Sequence, residues 1–155
     1  MKRKRLLDSY ALLAYLNKEN GFEKVRNVLA NAQKSSLPVL MNELNVGETY
    51  YILYRKRGHE QAEYFLDTVL AGLPISMISN DFNAVISASK IKARHAVSFA
   101  DCFTVATAQR ENAVILTKDE DVNFQRKMAG YARRLRPSHR KPSQTHGKHP
   151  ADPGS

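Results

Sequence analysis

The sequence has a single cysteine and no long apolar run. Cys102 is the only cysteine among 155 residues, so an intrachain disulfide is excluded. No apolar stretch approaches the roughly 20 residues that cross a bilayer, so we expect no membrane segment. The basic N-terminus lacks the features of an export signal, because Asp8 interrupts the apolar segment and no small-residue cleavage site follows. These absences predict a protein of the reducing cytoplasm.

The length and the charge distribution predict one domain with a tail. A chain of 155 residues with 43% hydrophobic and 25% charged residues is typical of one soluble domain. Residues 6–130 hold 14 basic and 14 acidic residues, so the net charge of +9 lies at the two ends. Residues 131–155 contain four of the six prolines and few large apolar side chains. We predict a folded domain over 1–130 and a basic, disordered tail over 131–155, which either helps to hold a polyanion or is simply solvated.

Hydrophobic spacing predicts strands that alternate with helices. The predicted strands cover 5–7, 73–78 and 113–116, and the predicted helices cover 9–16, a stretch from 21, 41–57, 59–71, 81–92 and 98–111, with a last helix from about 119. Alternation of this kind predicts a parallel sheet between layers of helices.

Three aspartates lie where predicted strands end or helices begin. Asp8 ends the first strand, Asp101 lies in the first turn of the helix from Ser98, and Asp119 follows the last strand. The carboxyl ends of parallel strands share one edge of a sheet, which is where ligands bind. Each aspartate also suits a helix cap or a first helical turn, so a structural role stays an alternative for each.

Glu48 is different because it lies in the middle of a predicted helix. Its neighbours at four residues' distance are Leu44 and Ile52, and no basic side chain lies one turn away. Glu43 lies about 140° around the helix axis, so the two glutamates cannot both face one cleft squarely. Several carboxylates at 4 Å repel by about 1–4 kcal/mol per pair. Oxygen-only ligands suit a hard cation such as Mg²⁺ or Mn²⁺.

Four segments together resemble the PIN-domain family, in particular the VapC-type toxins of prokaryotic toxin–antitoxin pairs. The segments are LLDSYALLAYL (6–16), NVGETYYILYRKRG (45–58), SFADCFTVATAQ (98–109) and VILTKDEDVNF (114–124). The resemblance implies a three-layer α/β/α fold with a central, mainly parallel sheet. It implies a Mg²⁺- or Mn²⁺-dependent endoribonuclease whose catalytic and metal-binding acids match Asp8, Glu48, Asp101 and Asp119.

The resemblance also implies supporting residues and partners. Ser9, Thr117, Asp121 and Glu43 would support the acids, with helix capping as the alternative for Ser9 and Thr117. Lys118 departs from the family, which commonly has glycine there, and would either contact a substrate phosphate or compete with the metal for the acids. The implied partners are an RNA substrate, a small VapB-like antitoxin and a second copy of the chain. An apolar stripe offers either core packing or an antitoxin contact: Tyr50, Tyr51, Tyr54, Phe65 and Leu66.

Two other functions stay open at this point. A PIN-like protein could bind RNA or a partner without cleaving. A receiver-like signalling module also gathers acids at strand ends beside a threonine and a lysine, as Thr117 and Lys118 do here. Two features argue against the receiver-like module. The first strand lacks the paired carboxylates of such a module, and Glu48 would have no role in it.

Overall fold

A computed structural model gives the fold and describes residues 3–117. Its strands are β1 (Lys4–Leu7), β2 (Val39–Asn42), β3 (Ile75–Ile78) and β4 (Ala113–Leu116). Its helices are α1 (Ser9–Asn17), α2 (Phe22–Ser35), α3 (Glu43–Arg57), α4 (His59–Tyr64), α5 (Phe82–Arg94) and α6 (Phe99–Glu111). Helix α4 continues as wider, π-helical turns over Phe65–Leu70.

The four strands form one parallel sheet in the order β3-β2-β1-β4. Strand β1 is therefore an inner strand, with β2 on one side and β4 on the other. The backbone N–H of Asp8 donates to the carbonyl of Leu116 at 3.2 Å, which extends the pairing one residue beyond β1. This pairing brings the residue that follows β1 beside the residue that follows β4.

Helices cover both faces of the sheet, and alternate residues of the strands face opposite layers. Leu7 and Met41 join the core formed with α1, α2, α3 and α4. Leu6 and Leu40 face the other layer, where they pack with Ala108 of α6. The predicted three-layer α/β/α architecture with a parallel sheet is confirmed.

The predicted elements differ from the structure mainly at β2. Residues 41 and 42 were predicted as the start of a helix from 41 to 57, but they end strand β2, and α3 begins at Glu43. All four residues of β2 are buried, so the strand lacks the alternation that marks a half-buried strand. The strand predicted over 73–78 is shorter, because it begins at Ile75. The predicted helix near 119 and the predicted tail lie outside the described residues.

Within residues 3–117, no helix is long and apolar enough to cross a membrane.

Truncation of a core side chain should destabilise the protein far more than the same truncation at the surface. Leu12 is fully buried in α1, whereas Leu37 is exposed in the loop before β2. We expect Leu12→Ala to lower the free energy of unfolding by about 2–5 kcal/mol. Leu37→Ala should change it by less than about 0.5 kcal/mol. Urea denaturation followed by circular dichroism measures both, and equal effects would contradict the described packing.

Candidate active site

Asp8 lies at the carboxyl end of β1 and is almost fully buried, with 2% of its surface exposed. Its carboxylate caps α1 by accepting a hydrogen bond from the Ala11 backbone N–H at 2.8 Å. Burial raises the pKa of Asp8 from 3.8 to about 6, and the bonds from Ala11 and Thr117 lower the pKa only in part. The hydrogen bonds to the carboxylate, including the cap, therefore do not compensate for the loss of solvation that burial causes.

Glu48 lies in the middle of α3, and its carboxylate accepts a hydrogen bond from the Ser9 hydroxyl. Ser9 is itself buried, directly after Asp8. This contact joins the start of α1 to the middle of α3, although the two residues are 39 positions apart. The half-buried Glu48 carboxylate is thus held next to the end of β1.

Asp101 enters the same region from the first turn of α6. Ser98 caps this helix, since its hydroxyl accepts from the Asp101 backbone N–H at 3.1 Å. The cap is made by the Ser98 side chain, which leaves the Asp101 carboxylate available for other contacts. Asp101 and Glu48 both raise the pKa of Asp8 by charge repulsion. Carboxylates from two distant segments, α3 and α6, therefore lie close enough to Asp8 to act on it at this edge of the sheet.

The pKa of the Tyr10 hydroxyl is also raised by the charges of these carboxylates. Burial is the first cause that raises the pKa of Tyr10, followed by the charges of Glu48 and Asp101. Sequence reasoning did not single out Tyr10. Its position two residues after Asp8, in the first turn of α1, was the available signal.

The three carboxylates have no basic partner within residues 3–117. The ion pairs found there involve other acids, such as Lys4 with Glu111 at 3.1 Å. Repelling carboxylates of this kind need a proton or a cation. Their donors are all oxygens, which fits a hard divalent cation. The His, Cys, Asp and Glu side chains of 3–117 do not by themselves converge into a group of three around one ion.

Of the other predicted site residues, Thr117 and Glu43 lie within the described part of the chain. Thr117 hydrogen-bonds to Asp8, as its effect on the pKa of that residue shows. Glu43 is exposed, and its carboxylate accepts from the Asn80 backbone N–H at 2.9 Å, after β3. Lys118, Asp119 and Asp121 lie outside the described residues.

Two buried hydrogen bonds join α6 to the start of α3, one at its N-cap Asn42 and one at Asn45 in its first turn. Asn42 Nδ2 donates to Thr107 Oγ1 at 2.8 Å, and Asn45 Nδ2 donates to Thr104 Oγ1 at 2.8 Å. Sequence reasoning noted Asn45 only as part of the N-x-x-E pattern that ends at Glu48, and it did not single out Asn42, Thr104 or Thr107. Polarity at a position that faces a core was the signal for those three, and a single sequence does not distinguish it from surface polarity.

A cavity of about 460 Å³ lies between α5 and α6 and is lined by Asn80, Asp81, Asn83, Phe103, Thr107 and Arg110, among others. Of the predicted acids within residues 3–117, none lines it. This cavity is therefore separate from the described carboxylates.

Comparison with a protein-family profile decides the relationship. The profile of the PIN domain matches residues 5–130. The chain belongs to the PIN-domain family. No curated protein sequence matches this PIN domain significantly.

Two solved structures have a similar fold. One is the VapC20 toxin of Mycobacterium tuberculosis, described as cleaving the sarcin-ricin loop, with 20% identity and a TM-score of 0.59 over 79% of this PIN-domain chain and 95% of that chain. The other is VapBC2 of Rickettsia felis bound to a DNA fragment from its promoter, with 17% identity and a TM-score of 0.63 over 79% of this chain and 91% of that chain. At these identities the likeness shows the fold.

The raised pKa of Asp8 predicts how metal-free stability depends on pH. The folded pKa of about 6 exceeds the ordinary 3.8, so folding favours the protonated carboxyl. The contribution of Asp8 is therefore most favourable below about pH 4 and is lost as the pH rises through 6. A rise of this size corresponds to about 3 kcal/mol.

The measurement compares the wild type with Asp8→Asn, which keeps an oxygen for the Ala11 cap and carries no charge. Between pH 4 and pH 7.5 in EDTA, the wild type should lose about 2–2.5 kcal/mol of unfolding free energy relative to the variant, since part of the effect already lies below pH 4. Parallel pH profiles for the two proteins would show that Asp8 is not desolvated as described.

Proposed function

We propose that this PIN-domain protein is a metal-dependent endoribonuclease that acts as the toxin of a VapBC-type pair. One observation carries the proposal: Glu48 and Asp101 both act on the buried Asp8 at the carboxyl edge of the sheet, and none of the three has a basic partner within residues 3–117. A solely structural role would be served better by uncharged caps, because uncompensated buried charge is costly.

The acids of this chain would hold Mg²⁺ or Mn²⁺. Asp8 and Asp101 are the proposed principal ligands, and Glu48 and Asp119 complete the set. Such an ion, when bound, activates water and stabilises the charge that develops during displacement at phosphorus. Asp119 is needed because the described acids alone do not close a three-ligand group.

The neighbouring hydroxyl groups fix the carboxylates in place. The Ser9 hydroxyl donates to Glu48, and the Thr117 hydroxyl bonds to Asp8. Partners of this kind orient ligands and reduce the entropy lost when an ion binds. We propose supporting roles for both residues, and for Asp121. Lys118 lies next to Asp119 in the sequence, and we propose that it contacts a phosphate of the RNA.

The strand order argues against the receiver-like alternative. Receiver domains have the order 2-1-3-4-5, in which β1 pairs with β2 and β3. Here β1 pairs with β2 and β4, and β3 is at the outer side of β2. Binding without cleavage stays the competing function, and the experiment below separates it from hydrolysis.

Cleavage of a structured RNA pool by the purified full-length protein tests the proposal. We expect cleavage with Mg²⁺ or Mn²⁺ and none with EDTA. Asp8→Asn should reduce the rate at least about 100-fold, because loss of a ligand removes several kcal/mol of charge stabilisation.

Asp81→Asn is the matched control. Asp81 caps α5 by accepting from the Ala84 backbone N–H at 2.8 Å, as Asp8 does with Ala11 in α1. The control should cleave at the wild-type rate within about twofold. RNA binding without cleavage under either metal, by protein shown to be folded, would favour the binding function instead.

The proposal includes a small VapB-like antitoxin and a cytoplasmic location. Of the apolar stripe predicted for contact or core, Phe65 is buried in the core. Tyr50 and Leu66 pack partly against that core, whereas Tyr51 and Tyr54 are exposed. The exposed tyrosines and the unpaired acids suit a partner that supplies apolar and basic side chains. One of the two similar solved structures is VapBC2 of Rickettsia felis, bound to a DNA fragment from its promoter.

We also propose a homodimer through the β3 side of the molecule. Phe82 is 76% exposed at the start of α5, and Ile86 is exposed one turn later. Met77 on β3 and Leu44 at the start of α3 are exposed as well. Glu43, beside Leu44, contacts Asn80, which joins these elements into one surface. A second copy of the chain would cover this surface by twofold symmetry.

Light scattering during gel filtration tests the dimer. We expect a dimer for the wild type and at least a tenfold weaker dimer for Phe82→Glu, because a charge would be buried without a partner. Tyr64→Glu, at an exposed aromatic residue of α4, should remain dimeric. A wild-type monomer, or equal effects of the two variants, would contradict the proposed surface.

A further inference from the structure

The two asparagine–threonine contacts are successive steps of one regular pattern. The contacts pair Asn42 with Thr107 and Asn45 with Thr104. Asn45 comes three residues after Asn42, whereas its partner Thr104 comes three residues before Thr107. The two segments therefore run antiparallel, with one contact per helical turn. We call these two contacts the outer rung (Asn42–Thr107) and the inner rung (Asn45–Thr104).

Continued by one step, the same spacing leads to Glu48 on α3 and Asp101 on α6. Glu48 lies three residues after Asn45, and Asp101 lies three residues before Thr104. The two rungs are closed by direct amide-to-hydroxyl hydrogen bonds of 2.8 Å. Two ionised carboxylates have no proton to share, so this third position cannot close in the same way. Their separation is then set by the helices that carry them.

The inner rung is built from fully buried polar groups. Asn45 and Thr104 each have 0% of their surface exposed. The Thr104 hydroxyl also donates to the Ala100 carbonyl at 3.3 Å, one residue before Asp101. Thr49, beside Glu48, donates to the Asn45 carbonyl at 2.9 Å. The inner rung is therefore linked by hydrogen bonds to the residue next to each of the two carboxylates.

Stability alone does not explain an asparagine at this position. The Oδ1 atom of Asn45 is buried and has no hydrogen-bond partner among the described residues. A buried acceptor left unpaired costs about 1–3 kcal/mol, and an apolar side chain of similar volume would avoid that cost. What the asparagine supplies, and an apolar side chain would not, is a directional bond of fixed length between α3 and α6.

We propose that Asn45 and Thr104 are positioning residues that set the spacing of Glu48 and Asp101 for cation binding. The inner rung holds α3 and α6 together one turn from the two carboxylates. This inference rests on the metal-dependent function proposed above. It concerns residues that touch neither the cation nor the RNA.

The test is calorimetric titration of the purified, metal-free full-length protein with Mn²⁺ alone, without RNA. Thr104→Val removes the inner rung with little change in volume. We expect about tenfold weaker Mn²⁺ binding, which is the range found when groups that orient metal ligands are removed. Thr104→Ser restores the hydroxyl and should bind Mn²⁺ within about twofold of the wild type.

Thr107→Val is the matched control. Thr107 is also buried in α6, accepts an asparagine bond of the same length, and donates to a backbone carbonyl four residues earlier, that of Phe103. The variant should lower the thermal midpoint about as much as Thr104→Val and change Mn²⁺ affinity by less than about threefold. If Thr104→Val does not fold, the pair Thr104→Ala and Thr107→Ala replaces the valine pair with the same expectation.

The outcomes separate this inference from the proposed function. Mn²⁺ binding by the wild type, with equal affinities for the Thr104 and Thr107 variants, would overturn the positioning role and leave the proposed function standing. Failure of Thr104→Ser to restore affinity would overturn it too. Absence of Mn²⁺ binding by the wild type would overturn both.

Discussion

The burial of the Asp8 carboxylate at the end of an inner strand is the constraint on which the site depends. Because β1 pairs on both sides, the residue that follows it cannot move into solvent without breaking the hydrogen bond to Leu116. Its charge is thus fixed in a poorly solvated position, where water does little to reduce repulsion. Glu48 and Asp101 are brought towards the same place by α3 and α6. No basic side chain within residues 3–117 forms an ion pair with these three acids.

Features that depend on residues close together in the sequence could be predicted from the sequence. The caps at Asp8 and Ser98 are visible in the sequence because a cap needs only a polar side chain before an apolar helix. Glu48 was singled out because a carboxylate in the middle of a helix without a basic neighbour is unusual. The choice of Glu48 over Glu43 is consistent with the contacts of the two side chains, to Ser9 and to Asn80 respectively.

Features that depend on distant partners were not predicted. Strand β2 was merged into α3, because four consecutive buried residues show no period and the helix follows without a turn. The Asn45–Thr104 bond joins residues 59 positions apart, and no spacing rule within one sequence identifies such a pair. The site could thus be predicted as a set of acids, whereas the framework that spaces them becomes visible only in three dimensions.

The unneutralised charge has a consequence for the lifetime of the protein. A ligand that binds only the folded state raises the folded fraction by mass action. Any cation, or any basic segment of a partner, that screens Asp8, Glu48 and Asp101 therefore also protects the chain from opening. Proteases act on the opened population. A ligand that neutralised these carboxylates would thus also slow proteolysis of the chain.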